Sequence, residues 1–498
     1  MTEPMEEAKE NRGIQRLLAR NAVVLVGAQV LAAPLSVLIS AMMGRHLGAE
    51  DFGILFLAGT FAAFGSLFIQ WGQNGTLPAA VARDRAHAGE VLGTGLAFQC
   101  GAAVVVYALL AITAPLLGYD PNFQLALLIV VVTFFLNCLT VSCADAVRGL
   151  ERTDVAALGV VGQQFSIALF VVPTLLLGGR LFATLIAQAA AGFVMLVVVW
   201  VAVRGAGVGP LSVSRQRLRG LIAEGTPFLA LSLILALQPS IDAVILSKLA
   251  PEDTVGWHAA ARKLVGVLGV PAGAIVSALY PTLCRLYVEN RDAYLETARG
   301  ALSSVAIVVV PVAVGTFAYA DLGVQLFSSD SFGPVRDNLR FMAPFLVLVY
   351  FTMTVGTVLL AAGVRRAWTI TQFFCVLVSA VADPLLIPYF QRTYGNGGLG
   401  VCVATIISEV IMLGIGVWLA PKGMFSRALL RPLALATLAG GVMGLTAWLL
   451  RWLTPWVAAP IGVTVYFAVL WLTGGITAEQ IAPVKNFIGR KLGRGQPK

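Results

Sequence analysis

Charge is scarce in this chain. Of its 498 residues only 12% are Asp, Glu, Lys or Arg, whereas 58% are hydrophobic, and the mean hydropathy is +0.86. Soluble domains carry roughly 25% charged residues, so this chain has too little polar surface to cover itself in water. Its length would otherwise allow about three soluble domains, but composition overrides that. Also missing is the ten-residue alternation of apolar and polar positions that builds a membrane barrel; the apolar runs are unbroken for about 20 residues. Cysteine is limited to Cys100, Cys138, Cys143, Cys284, Cys375 and Cys402, in or at the ends of apolar runs, with no CxxC pair. They read as small packing residues, so no disulfide framework, metal site or cofactor is expected. A cleavable signal is not expected either: residues 1–21 mix Glu and Arg, and the first apolar run, 22–44, is long enough to remain as a helix. Long outward loops are lacking. An integral glycosyltransferase or polymerase would need acidic catalytic residues on such loops, and Glu50 and Asp51 sit on one too short to form a domain. The chain is therefore not expected to be an enzyme.

What is present is a succession of spans. A window of about 19 residues gives fourteen: 22–44, 52–71, 91–117, 123–147, 155–178, 181–203, 226–246, 255–280, 301–320, 339–363, 367–390, 399–419, 433–450 and 456–474. This predicts an all-α polytopic membrane protein with both termini on one side. The basic residues say which. With a cytoplasmic N-terminus, 25 of the 34 Lys and Arg fall in inward segments and 9 in the outward half, two of those being Arg262 and Lys263 inside the eighth span. That bias orients both ends toward the cytoplasm, and most of the net charge of +9 is then topology. Nucleic acid is not needed to explain it.

An internal echo organises the chain. Leu47-Gly48-Ala49-Glu50-Asp51-Phe52-Gly53 follows span one, and Leu249-Ala250-Pro251-Glu252-Asp253, with Gly256 three residues on, follows span seven at an offset of 202 residues. Each copy joins the first two helices of a six-helix block, which suggests a duplication into like-oriented repeats, a recurring transporter architecture. The expected organisation is a cytoplasmic interfacial segment (1–21), a first six-helix lobe (22–203), a cytoplasmic linker (204–225) and a second lobe (226–420). Two further spans (421–475) and a basic amphipathic tail (476–498) complete it. The linker, with Arg215, Arg217 and Arg219, fits a hinge strap or a passive topogenic segment. The two terminal segments fit helices lying on the anionic inner leaflet, and for the first dozen residues a solvated tail fits as well.

Ionisable residues at membrane depth are costly and mark cavities or paths. Asp242 lies late in span seven; His258, Arg262 and Lys263 lie in span eight; Asp383 precedes Pro384 in span eleven, and Glu409 follows Ser408 in span twelve. Asp145 and Arg148 close span four on the inner side. Asp242 with Arg262 and Lys263 reads either as a binding or coupling site or as an ion pair locking the hairpin of spans seven and eight. Asp383 and Glu409 read as proton- or cation-coupling groups or as caps of kinks. Prolines at 34, 173, 239, 271, 311, 344 and 384 bend the spans, tolerable where neighbours or cavity water satisfy the freed carbonyls.

Several of these stretches point to a family. Gly44-Arg45-His46-Leu47-Gly48-Ala49-Glu50-Asp51-Phe52-Gly53 resembles the R-x-L-G-x-x-x-[FY]-G loop of polysaccharide flippases. The stretch from Pro78 to Arg85 with Ala88-Gly89-Glu90 resembles their cytoplasmic loop before helix three. Pro239 and Asp242, then Val255-Gly256-Trp257-His258-Ala259-Ala260, Pro271 and Tyr280-Pro281-Thr282-Leu283, are similar to the second-lobe pattern. The chain thus resembles the polysaccharide-transporter (Wzx-like) branch of the multidrug/oligosaccharidyl-lipid/polysaccharide (MOP) superfamily. The resemblance implies two six-helix lobes in a V, with two extra C-terminal helices, in the bacterial cytoplasmic membrane. It implies flipping of polyprenyl-pyrophosphate-linked oligosaccharide units by alternating access for O-antigen, capsule or exopolysaccharide synthesis. Membrane lipids, and possible contacts with a polymerase and assembly proteins, come with it as partners. Arg262, Lys263 and His258 would contact the pyrophosphate, with Lys263 near the position of a basic residue in helix eight of lipid II flippases. Neither of the first two spans carries a charge, which argues against a lipid II flippase and against the helix-one acid of several multidrug antiporters. Those two remain the alternatives.

Overall fold

A computed structural model describes residues 3–327 and 330–475. The C-terminal basic stretch lies outside them, and the side chains of the N-terminal amphipathic stretch do too. Among the described residues regular structure is helical throughout. In order the helices are α1 (Glu3–Gln70), α2 (Gln73–Arg83), α3 (Ala88–Leu116), α4 (Pro121–Gly149), α5 (Thr153–Leu176), α6 (Leu181–Gly205), α7 (Arg215–Leu249) and α8 (Glu252–Leu268). They continue as α9 (Val270–Glu289), α10 (Arg291–Ala318), α11 (Asp321–Phe327), α12 (Val335–Ala361), α13 (Arg365–Tyr394), α14 (Gly398–Leu419), α15 (Leu430–Leu449) and α16 (Pro455–Leu472). Thirteen stretches are long and apolar enough to cross a membrane. The first of these, Leu31–Arg83, has 53 residues, roughly 80 Å of helix at 1.5 Å per residue, against a hydrocarbon core of about 30 Å. It is two passes, broken at Gly48, whose φ of 81° and ψ of 176° only glycine adopts readily. The fourteen predicted spans are therefore accounted for.

Local chemistry moves some boundaries. Ser214 caps α7 by accepting from the Arg217 N–H (3.5 Å), so the helix starts at Arg215 and not at 226. Asn290 does the same for α10, accepting from Asp292 (3.1 Å) and Ala293 (3.0 Å). Asp120 caps α4 with Pro121 in its first turn. Predicted span eight is broken between α8 and α9 at Gly269, with Pro271 in the first turn of α9. The Leu268 carbonyl at that break accepts a hydrogen bond from the Tyr350 hydroxyl of α12, in place of the Ala272 N–H four residues on, which bonds the Gly269 carbonyl at 3.1 Å.

The helices gather into two compact units. The first comprises Met1–Lys263 with Phe327–Phe332 and Gln391–Gly397. Its core is built from α2, α3, α4 and α6 around Leu77, Val81, Leu92, Cys143, Val147 and Val199. α7 belongs to this unit along its length. At one end Trp71 donates to the Thr226 hydroxyl at 3.3 Å, and a Cβ on Gly225 would stand 2.2 Å from the Trp71 carbonyl oxygen. At the other end Tyr119 and Ser247 share a hydrogen bond of 2.8 Å, and Lys248 donates to the Leu117 carbonyl at 2.6 Å over the Tyr119 ring. The echoed segments meet in the same unit. A Cβ on Gly53 would come within 2.2 Å of the Glu252 carbonyl oxygen, and one on Gly256 within 2.0 Å of that of Ala49. The contact is reciprocal, as a local two-fold relation requires.

The second unit comprises Leu264–Leu326, Gly333–Phe390 and Gly398–Lys498. Trp368 of α13 fills the space above Gly356 of α12 and Gly416 of α14. The last helix, α16, is keyed to α10 by two tyrosines. Tyr319 donates to the Ala458 carbonyl and Tyr466 to that of Ile307, both at 2.9 Å. Large apolar side chains such as Leu177, Leu472 and Trp418 remain more than 80% exposed, the expected condition of surfaces that face lipid rather than water.

Candidate functional site

The site residues expected from sequence in the first unit sit on the hairpin of α7 and α8. Asp242 is 1% exposed on α7, and His258 is 1% exposed on α8. Arg262 and Lys263 are half-buried. Counting from the turn at residues 250–251, Asp242 lies about 12 Å deep and His258 about 9 Å, while Arg262 and Lys263 lie about 15 Å deep at 1.5 Å per residue. By this count all four groups lie within about three turns of helix from the same loop. His258 and Arg262 are four residues apart and share a face of α8. α8 gives way to α9 at Gly269, six residues beyond Lys263, so neither cation lies in the last turn of α8.

Asp383 on α13 and Glu409 on α14 belong to the second unit, 0% and 6% exposed. The Glu409 carboxylate stands beside Thr352 of α12 and Cys375 of α13. The structure thus divides the predicted ionisable residues between two places, the α7–α8 hairpin and the α12–α13–α14 packing. Asp145 pairs with Arg148 at 3.1 Å, and Arg148 also donates to the Asn74 carbonyl at 3.1 Å, tying α4 to α2.

A neutral polar network in the first unit went unnoticed in the sequence. Gln99 of α3, 0% exposed, donates to Gln73 Oε1 of α2 at 3.1 Å and to the Ser142 hydroxyl of α4 at 2.6 Å. Gln73 in turn donates to the Gly95 carbonyl at 3.4 Å. The available signal was a glutamine in an apolar helix, which a search for charge passes over.

On the side assigned to the cytoplasm, a cavity of about 610 Å³ lies between the α2–α3 loop and the start of α7, lined by Arg83, Glu90, Arg217 and Glu224 among others. Ion pairs cross it: Arg83 to Glu224 at 3.3 Å, and Arg217 to Asp84, with His87 also on Asp84 at 2.9 Å. The linker is laid along α3, where a Cβ on Gly89 or Gly93 would meet the carbonyl oxygens of Pro210 and Ser212 at 2.5 and 2.6 Å. No group of His, Cys and carboxylates fit to hold a metal occurs among the described residues.

Comparison with known proteins places this arrangement. Residues 18–287, more than half of the chain, match the family of polysaccharide biosynthesis proteins. No curated protein matches. Among solved structures, the lipid II flippase MurJ in an inward closed conformation superposes with a TM-score of 0.70 at 13% identity, over 95% of this chain and 100% of that one. An inward-facing MATE family multidrug resistance transporter of the MOP superfamily gives 0.58 at 18% identity, over 78% and 93% of the two chains. The MATE multidrug transporter DinF-BH gives 0.56 at 15% identity, over 81% and 94%. With its helical spans and the match over residues 18–287, and with a fold like that of the lipid II flippase and the MATE transporters, this multi-pass membrane protein belongs to the polysaccharide biosynthesis protein family.

Proposed function

We propose that this chain carries polyprenyl-pyrophosphate-linked oligosaccharide units across the bacterial cytoplasmic membrane, with both termini in the cytoplasm, for synthesis of a surface polysaccharide. The observation that carries the reading is the pair of half-buried cations, Arg262 and Lys263, in an apolar span beside buried His258, in a family of polysaccharide biosynthesis proteins. A sugar-pyrophosphate cannot cross hydrocarbon unaided, and guanidinium and ammonium groups bind phosphate oxygens by charge-assisted hydrogen bonds. The prenyl tail stays in lipid meanwhile. Similarity of fold to a lipid II flippase supports a lipid-linked cargo, while the absence of charge from spans one and two speaks against that particular one. The buried carboxylates Asp383 and Glu409 favour coupling of transport to a proton or cation, the feature shared with a drug antiporter.

The test is complementation. The gene is expressed in three strains: one lacking an O-antigen or capsule flippase, one depleted of its lipid II flippase, and one lacking drug exporters. Restored surface polysaccharide is expected, lost in Lys263→Gln and Arg262→Gln at unchanged membrane abundance. Rescue of the lipid II strain or of drug resistance alone would replace the proposal. A C-terminal phosphatase fusion inactive in the periplasm is the expected sign of cytoplasmic ends.

A further inference from the structure

A second cavity, of about 640 Å³, lies in the second unit between α10, α12 and α15. Its lining is mainly apolar, with Phe317, Pro344, Val347 and Ala447, and also includes Arg340, Arg451 and Asp321. Arg336 forms an ion pair with Asp321, so the carboxylate is already neutralised. Arg340 lies with its guanidinium 6.0 Å from the Phe317 ring, and its Nε is buried with no hydrogen-bond partner among the described residues. Arg451, exposed, stacks 5.4 Å from its neighbour Trp448, which lines the same cavity. The lining therefore has surplus positive charge beside apolar side chains.

Depth identifies the medium. Trp448, Trp452 and Trp456 are all exposed at this end of α15 and α16. Exposed tryptophans gather at the headgroup level of a bilayer, where one edge is wet and the other apolar. Arginines at that level meet phosphates, and the apolar lining beside them meets acyl chain. An ammonium headgroup such as phosphatidylcholine's would bring its own cation toward the two arginines, whereas a headgroup with net negative charge would not.

We propose that this cavity is a binding site for an anionic phospholipid, its phosphate between Arg340 and Arg451 and one acyl chain along Phe317 and Val347. Its assignment to the outer leaflet rests on the sidedness proposed above; its chemistry does not. The site lies away from the α7–α8 hairpin in sequence and uses none of its residues, so a cargo different from the one proposed leaves it standing. The occupant is a structural lipid of the bilayer, not the transported molecule.

The test is native mass spectrometry of the purified full chain in detergent, titrated separately with dioleoylphosphatidylglycerol, dioleoylphosphatidylcholine and undecaprenyl phosphate. Phosphatidylglycerol is expected to be retained at about tenfold lower concentration than phosphatidylcholine. Arg340→Gln and Arg451→Gln are each expected to erase most of that preference without changing phosphatidylcholine binding. Arg451 is on the surface, so its variant decides the matter even if Arg340→Gln folds poorly, and Arg365→Gln serves as a distant control. Equal retention of the two phospholipids, or an undiminished preference in Arg451→Gln, overturns the proposal. So does tighter binding of undecaprenyl phosphate than of phosphatidylglycerol, which would give the cavity to cargo.

Discussion

Gly53 lies directly on Gly256: a Cβ on the first would stand 2.9 Å from the backbone nitrogen of the second and 2.2 Å from the Glu252 carbonyl oxygen. Both obstacles are backbone, so neither can swing aside. Gly53→Ala and Gly256→Ala must each push α1 and α8 apart, at a cost of about 1–3 kcal/mol for overpacking. Gly59, on the same helix with nothing within 4 Å, is the control, and Gly59→Ala is expected to be neutral or to stabilise by about 0.5–1 kcal/mol. Melting temperatures in detergent check both. Because one displacement relieves the other, the double variant should lose less than the two single losses added. Equal behaviour of Gly53→Ala and Gly59→Ala would remove the crossing from the account.

Tyr350 and the α8–α9 break make a second prediction. The Tyr350 hydroxyl is the donor to the Leu268 carbonyl, and the residue is 0% exposed. Tyr350→Phe leaves that carbonyl with no donor from α12, a loss of about 1 kcal/mol. The expected signature is local: a lower melting temperature with faster amide exchange concentrated around 264–272. Exchange unchanged there would mean that the break is held by something else.

Much of this architecture was legible because hydropathy alone counts spans. The echo of Glu50-Asp51 in Glu252-Asp253 was legible too, at an offset of 202. Packing, however, sets Gly53 against the Glu252 carbonyl and Gly256 against that of Ala49, 199 and 207 residues apart, and only tertiary contact reveals which glycine meets which carbonyl. Pro271 announced the break in span eight, but the donor that satisfies Leu268 comes from residue 350, too far along the chain for any local pattern. Arg262, Lys263 and His258 stood out as charge in an apolar run. Gln73 and Gln99 did not, since a search for charge passes over a neutral amide. The two-arginine cavity escaped for a different reason: Arg340 and Arg451 each look like an ordinary interfacial residue until α12 and α15 pack together.

Gln99 joins three helices, donating to both Gln73 and Ser142. Gln99→Leu keeps the volume and removes both bonds, leaving two polar partners facing hydrocarbon. The loss expected is about 1–3 kcal/mol, and Gln99→Leu with Ser142→Ala and Gln73→Leu should recover most of it, since no polar group is then stranded. Thermal unfolding of the single and triple variants reads the difference. A triple variant less stable than the single would show that the network does more than satisfy itself.

The ion pairs at the cavity beside the α2–α3 loop give the last prediction, in pH. Asp84 lies outside the spans, and hydrogen bonds from His87 and then Arg217 hold its carboxyl below the usual carboxylate range. A folded-state value below the unfolded one, about 3.9, means that the folded chain binds fewer protons there. The stabilisation is then complete above pH of about 4 and fades as pH falls through the folded value. Asp84→Asn lacks it at every pH. The gap in melting temperature between wild type and Asp84→Asn should therefore be open at pH 5 and close as pH falls below about 4. Added salt should narrow the gap at pH 7, because these groups are partly exposed and screened. A gap that widens between pH 5 and 3 would reverse the sign and assign the carboxyl a raised value in the folded chain.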